Sequence, residues 1–367
     1  MVRKVHIVLL LSVLVAFAMG CKKGYYDAPQ TETYGTPYDL EIPPFFPPMQ
    51  IPPDNPFTVE GIELGRMLFW EKDLSNDFSM SCGSCHLPSQ SFSDPEQFST
   101  GVNGAVGTRQ SMALINAGWS TKFFWDGRAL TLEEQIIDPI SNPIEMNLPW
   151  PEAIDRLRSH QDYPGMFKSA FGDELINQDR VTKAIAQFVR TIISSNSKYD
   201  QWKRGDVFLT DQEFEGYILF TTEGGDPETV QGGANGADCF HCHSEAGLQL
   251  TDYLPHNNGL NTVFTDLGYG GVNGNPLDYG KFKTPTLRNI EFSSPYMHDG
   301  RFTTLEEVID HYDSGGLPSE TIDPFMKYTE GGLQLNPVAK ENLLAFLKTL
   351  TDYDFMENPA FSDPNDQ

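Results

Sequence analysis

The chain has 367 residues, enough for about two domains, with 25 Lys+Arg against 51 Asp+Glu and a formal net charge of −26. That acidity argues against nucleic acid as a partner, because phosphate binding needs a basic face. An apolar fraction of 39% with 12% aromatic residues excludes wholesale disorder. Five cysteines are an awkward odd number for an exported chain if they form disulfides, so their places matter.

Residues 1–20 begin with Arg3 and Lys4, run apolar from Val5 to Ala18, and end in Ala18-Met19-Gly20 before Cys21. The run is too short to span a bilayer comfortably and has the charge layout of an export signal. Small residues leading into a cysteine resemble a bacterial lipobox. On that reading Cys21 is the lipidated N-terminus of a periplasmic protein that meets the membrane only through its anchor. The alternative is an ordinary signal peptide with an incidental cysteine. Removing the signal takes away two basic side chains, so the formal charge becomes −28. Residues 21–54, rich in Pro, Gly, Tyr and Thr, read as an extended, partly polyproline tether that docks on the globular part.

The other four cysteines stand in Cys82-Gly83-Ser84-Cys85-His86 and Cys239-Phe240-His241-Cys242-His243. Both are C-x-x-C-H, the haem c attachment pattern: two thioethers hold the porphyrin and the next His becomes an axial iron ligand. A zinc site or a thioredoxin-like pair does not predict a His directly after both pairs. The cofactors expected are therefore two covalent haem c groups, one per half.

The halves repeat one another. Gly65-Arg66-Met67-Leu68-Phe69 precedes the first motif as Gly216-Tyr217-Ile218-Leu219-Phe220 precedes the second. Trp125-Asp126-Gly127-Arg128 with Thr131-Leu132-Glu133-Glu134 matches His298-Asp299-Gly300-Arg301 with Thr304-Leu305-Glu306-Glu307, and Asn116 matches Asn289. A unit this long is a duplicated domain rather than a solenoid repeat. Thr-Leu-Glu-Glu predicts a helix start with Thr as N-cap. Val181, Ile185, Phe188 and Ile192 form one helical stripe, and Leu343, Phe346, Leu347 and Leu350 another, opened by Asn336-Pro337. No run alternates as a strand, and Gly-rich stretches at 224–236 and 268–280 read as loops. The expected fold is all-α: two cytochrome c-like domains with long irregular loops, at 55–203 and 204–355, and a tail at 356–367.

Counting on from the matched Glu-Glu pairs, Tyr312 falls opposite Pro139. Tyr312 either ligates iron through its phenolate or is a packed aromatic, with Met297, His298 and Met326 as competing ligands. Proline ligates nothing, so the first haem can be open and the second closed. Gln135 and Glu145 flank Pro139, and a carboxylate beside an open haem can shuttle a proton between peroxide oxygens. A surface helix end is the bland explanation of both. His160, His241, His256 and His311 read as surface or structural.

From about residue 52 the chain resembles bacterial di-haem cytochrome c peroxidases and their MauG-type relatives. The stretches that carry the resemblance are Leu64–Phe69, both C-x-x-C-H motifs, Phe124–Arg128, Pro143–Asn147, and Lys283–Asn289 through Pro295–Arg301. The resemblance implies a peroxidatic haem in the first domain and an electron-transfer haem in the second. It makes His86 and His243 the proximal ligands, places Glu145 and Gln135 at the peroxide pocket, and makes Trp125 an electron relay. It also implies one calcium ion, held by Gln110 and the backbone carbonyls of Ser293 and Pro295, although the family more often offers Asn at the first position. Many of the peroxidases have Met where Tyr312 stands, whereas MauG-type proteins have Tyr. Residues 87–118 lack the removable His of peroxidases that need reductive activation. The Trp that MauG-type proteins carry just before the second motif is missing from Gly233–Asp238; Trp202 or a Tyr is left as the relay.

Three functions follow: a peroxidase reducing hydrogen peroxide to water with electrons from a small cytochrome c or cupredoxin; a MauG-like oxidase of a partner protein; and a non-enzymatic di-haem carrier or haem sensor. The last predicts two saturated haems, against which Pro139 speaks. An acidic surface suits a basic donor.

Overall fold

The computed structural model describes residues 34–224 and 236–366. The expected signal segment, Cys21, the start of the expected tether and most of the 224–236 loop lie outside the described residues. In chain order the helices are α1 (Val59–Trp70), α2 (Leu132–Ser141), α3 (Trp150–Ser159), α4 (Tyr163–Phe171), α5 (Gln178–Arg190), α6 (Lys198–Arg204), α7 (Asp211–Phe220), α8 (Tyr269–Asn273), α9 (Leu305–Asp313), α10 (Pro337–Lys348) and α11 (Tyr353–Met356). The sheet seen among the described residues is one antiparallel pair, β1 (Pro255–His256) with β2 (Phe282–Lys283). The chain is thus mostly helical with little sheet, and none of its described helices is long and apolar enough to cross a membrane.

The duplication is visible in two matching helix crossings. α1 packs on α5 in the first half, and α7 packs on α10 in the second. At the first crossing a Cβ on Gly65 would lie 2.0 Å from the Ala184 carbonyl oxygen; at the second, a Cβ on Gly216 would lie 1.9 Å from that of Asn342. Only glycine allows the backbones this close, which is the physical reason for the repeated Gly-x-x-x-Phe. Phe69 and Phe188 meet edge-on below the first crossing, and Phe220 and Phe346 pack below the second.

The two helices expected from Thr-Leu-Glu-Glu are α2 and α9, each capped by its threonine: Thr131 accepts from the Glu134 N–H and Thr304 from the Glu307 N–H. Asn336 caps α10 by accepting from the Ala339 N–H. Both apolar stripes fall on helices, α5 and α10, with Ile192 and Leu350 buried just beyond their ends.

Residues 34–366, as far as they are described, form one compact unit built on two hydrophobic cores. The first gathers α1, α2 and α5, the second α7, α9 and α10. The described part of the Pro-rich segment is docked on this unit: Phe46 belongs to the second core, and the Trp119 indole donates to the Pro47 carbonyl at 2.8 Å. The chain's end returns to the first core, where Phe355 and Phe361 pack on Phe92 and Arg66 donates to the Ser362 carbonyl. Spatially, therefore, residues 355–362 belong with the first half.

Candidate active site

Each C-x-x-C-H begins as a single 3-10 turn, Cys82–Ser84 and Cys239–His241, which brings two thiols and an imidazole to one side. None of the four cysteines is in a disulfide. His86 Nδ1 bonds to the Phe92 carbonyl at 2.9 Å and His243 Nδ1 to the Leu250 carbonyl at 3.2 Å. Phe92 and Leu250 both hold φ above zero, at 58° and 54°, which curls each loop back over its histidine. These bonds set the ring orientation and leave Nε2 as the nitrogen for a metal. Burial lowers the pKa of His86 and takes that of His243 down to about 4, so both rings stay neutral, the state a ligand needs.

All six residues line one cavity of about 960 Å³ that runs from one motif to the other. Lys283 lines it too, 9% exposed and without a carboxylate partner among the described residues; burial brings its pKa down to about 8. A buried ammonium without a counter-charge is costly. The propionates of a bound haem would supply that charge, so cavity, thiols, imidazoles and lysine together fit haem.

Over the first motif α2 presents Gln135 and Pro139 to the cavity, and the turn after it presents Glu145. The Asn142 amide donates to Glu145 Oε1 at 2.7 Å. Burial, helped by the nearby Asp138 charge, raises the pKa of Glu145 above the usual carboxylate range. Arg128, which lines the same wall, is tied to Asp126 and Asp138 and covers the Phe124 ring at 3.3 Å.

Over the second motif α9 presents Tyr312. Asn258 Nδ2 donates to its hydroxyl at 3.2 Å and also reaches Met297 Sδ at 3.3 Å. Burial pushes the Tyr312 phenol up to about 12. Met297, His298 and Met326 line the cavity as well, but the His298 ring is stacked on Phe282 with centroids 3.6 Å apart.

Trp125 and His298, equivalent by the repeat, sit at the join of the halves and exchange matching bonds. The Lys283 N–H donates to the Trp125 carbonyl at 2.8 Å, and the Gln110 N–H donates to the His298 carbonyl at 2.9 Å. The Trp125 indole donates to the Gln110 carbonyl at 2.8 Å. Arg109 adds a salt bridge from Asp126 to Asp266. Gln110, Ser293 and Pro295 all line the cavity, with the Gln110 amide donating to Ser93 Oγ at 2.6 Å. They offer three of the six to eight oxygens that calcium takes.

Sequence reasoning missed Lys283, Asn258 and the support of the second loop. Arg288, fully buried, forks onto Asp200 and donates to the Leu248 carbonyl, bracing the turn that follows His243. Lys283 and Arg288 lie inside the Lys283–Asn289 stretch already singled out, whereas Asn258 carries no local signal.

Residues 59–207 match the family model described as di-haem cytochrome c peroxidase. The chain is 33% identical to a methylamine utilization protein MauG of Methylophilus methylotrophus, over 86% of this chain and 91% of that one. It is 34% identical to a cytochrome c551 peroxidase of Nitrosomonas europaea, over 84% of each. Among solved structures it superposes on a MauG-like protein associated with microbial copper homeostasis with a TM-score of 0.79 and 34% identity, covering 89% of this chain and 99% of that one. Haem is thus the cofactor class and oxidoreduction the chemistry, and the chain belongs to the di-haem cytochrome c peroxidase and MauG family.

Proposed function

We propose that the chain reduces hydrogen peroxide to water with two haem c groups, attached through Cys82 and Cys85 and through Cys239 and Cys242, with His86 and His243 as proximal ligands. The observation that carries this reading is the contrast across the cavity. Pro139, Gln135 and Glu145 face the first motif, where none of them offers a strong sixth ligand; Tyr312 faces the second. Bound haem would pass on the donor's electrons and offer the position at which peroxide binds. The chain's own groups do the rest. Glu145, braced by Asn142, moves a proton from one peroxide oxygen to the other, and Gln135 donates a hydrogen bond to peroxide. Trp125 relays electrons between the halves. The balance is one peroxide, two electrons and two protons to two waters.

The electrons come from a small basic cytochrome c or cupredoxin, drawn by the net negative charge. The protein works in the periplasm, anchored by lipid at Cys21, and Gln110, Ser293 and Pro295 contribute to a calcium site. Electron paramagnetic resonance of the oxidised protein, with rapid mixing against peroxide, tests the reading. One high-spin and one low-spin haem, with reaction before any reduction, are expected. Two low-spin haems inert to peroxide would reject it.

Tyr312 in the place where many of the peroxidases have Met favours a second reading, oxidation of a partner protein in the MauG manner. An oxidised state that lasts for minutes without donor, with a covalent change in a co-expressed partner, would select it.

A further inference from the structure

In and beside the second attachment motif lie three side chains, none given a role above, whose donor atoms converge. Asp238 and His241 belong to the turn that carries Cys239, and Glu223 stands just beyond the end of α7. His241 Nε2 is 3.0 Å from Glu223 Oε1 and 3.2 Å from Asp238 Oδ1, and one donor atom from each residue lies within 4.8 Å of the other two. These approaches are close but off-axis. Both Asp238 oxygens and His241 Nε2 are buried and lack a hydrogen-bond partner among the described residues. The Asp238 side chain is only 8% exposed. Lys327 lies 3.4 Å from Asp238 Oδ2, but the buried Oδ1 has no hydrogen bond among the described residues, and that calls for an explanation.

The surroundings hold the three groups in place. The His241 ring is stacked on Phe325 at 4.2 Å and 7°, and the Phe240 ring centroid also lies 4.2 Å from it, tilted by 30°. Lys327 Nζ reaches Glu223 Oε2 at 2.5 Å and Asp238 Oδ2 at 3.4 Å. The ammonium thus engages the second oxygen of each carboxylate, leaving Oε1 and Oδ1 beside the imidazole. Ligands about 2.0–2.2 Å from a tetrahedral ion sit roughly 3.3–3.6 Å apart, slightly wider than the two spacings from His241 here. Two carboxylates and one ammonium carry a net charge of −1, which a divalent cation reverses only to +1.

We propose that Glu223, Asp238 and His241 bind one divalent transition-metal ion of the zinc class, completed by water, as a clip between the end of α7 and the second haem-attachment turn. An imidazole with two carboxylates is a donor set for zinc-like ions rather than for soft thiolate-seeking ones. Asp238, next to Cys239, lines the main cavity, so the clip fixes the backbone from which that cysteine projects.

The test uses the purified full-length protein, treated with chelator, desalted and titrated with zinc chloride by calorimetry, with elemental analysis after gel filtration. One zinc per chain beyond iron is expected. His241→Gln and Glu223→Gln should each weaken zinc binding about 10-fold or more while haem content stays at the wild-type level. Asp238→Asn should do the same. If it also disturbs the attachment turn, the other two variants decide the matter. His160→Gln, at a half-buried site outside the cluster, should change nothing. Retention of no zinc, or equal affinity in His241→Gln and wild type, overturns the proposal and leaves the cluster as an ion-pair network with Lys327.

Discussion

Where α1 crosses α5 and where α7 crosses α10, the two halves are near copies: each relies on a glycine under a facing carbonyl, and each turns a loop residue to positive φ to lock its histidine. Above the histidines they diverge. The first half has Pro139 with Gln135 and a buried Glu145; the second has Tyr312 tied to Asn258. The two halves thus agree in what packs the helices and turns the histidines, and differ in the groups that face the cavity.

The widest break in that comparison is to strip each half in turn. Cys82→Ser with Cys85→Ser, and Cys239→Ser with Cys242→Ser, should each halve the covalent haem content by mass spectrometry and abolish peroxide turnover. Turnover surviving the second pair would mean that electrons do not enter through the second half. Next in size, Glu145→Gln should slow turnover by about 100-fold or more, the scale of a lost proton shuttle. Because burial raises the Glu145 pKa, the acid limb of the pH–rate profile should lie above the usual carboxylate range in wild type and vanish in the variant. Near-normal rates in Glu145→Gln would remove its role. Tyr312→Phe should instead leave the first haem's high-spin signal untouched and alter only the low-spin one.

Smaller effects probe the supports. Burial works to lower the pKa of His256, but Asp252 at 2.7 Å, Asp323 at 2.5 Å and the Cys242 sulfur outweigh it and push the pKa up to about 12. A folded-state pKa above the unfolded value near 6.5 gives stability that is full below that value and fades as pH rises towards 12. His256→Gln should therefore cost about 2 kcal/mol near pH 6, by urea unfolding, and progressively less in alkali. A gap that widens with pH would contradict the ion triad. Last, Gly65→Ala and Gly216→Ala should each cost about 1–3 kcal/mol through forced separation of the crossing helices. Unequal costs would show that the two crossings are less alike than their geometry.

By itself, the sequence determined the haem motifs, the duplication and the main helices. Each rests on short-range chemistry: two thiols and an imidazole within five residues, a threonine capping the N–H three positions on, an apolar stripe with helical period. It also aligned Pro139 with Tyr312, because counting from a repeated helix start needs no third dimension. Tertiary structure alone decided what long-range burial and pairing control. Lys283 became a buried cation without a counter-charge among the described residues only when the cavity closed around it, and Arg288 became a brace only when Asp200 and the Leu248 carbonyl arrived from distant segments. The return of Phe355 and Phe361 to the first core follows the same logic. So does the meeting of Glu223 with Asp238 and His241, the last of which had read as merely structural. Local patterns encode elements and attachment points, whereas the cost of burying charge is set by whatever else the fold brings within reach.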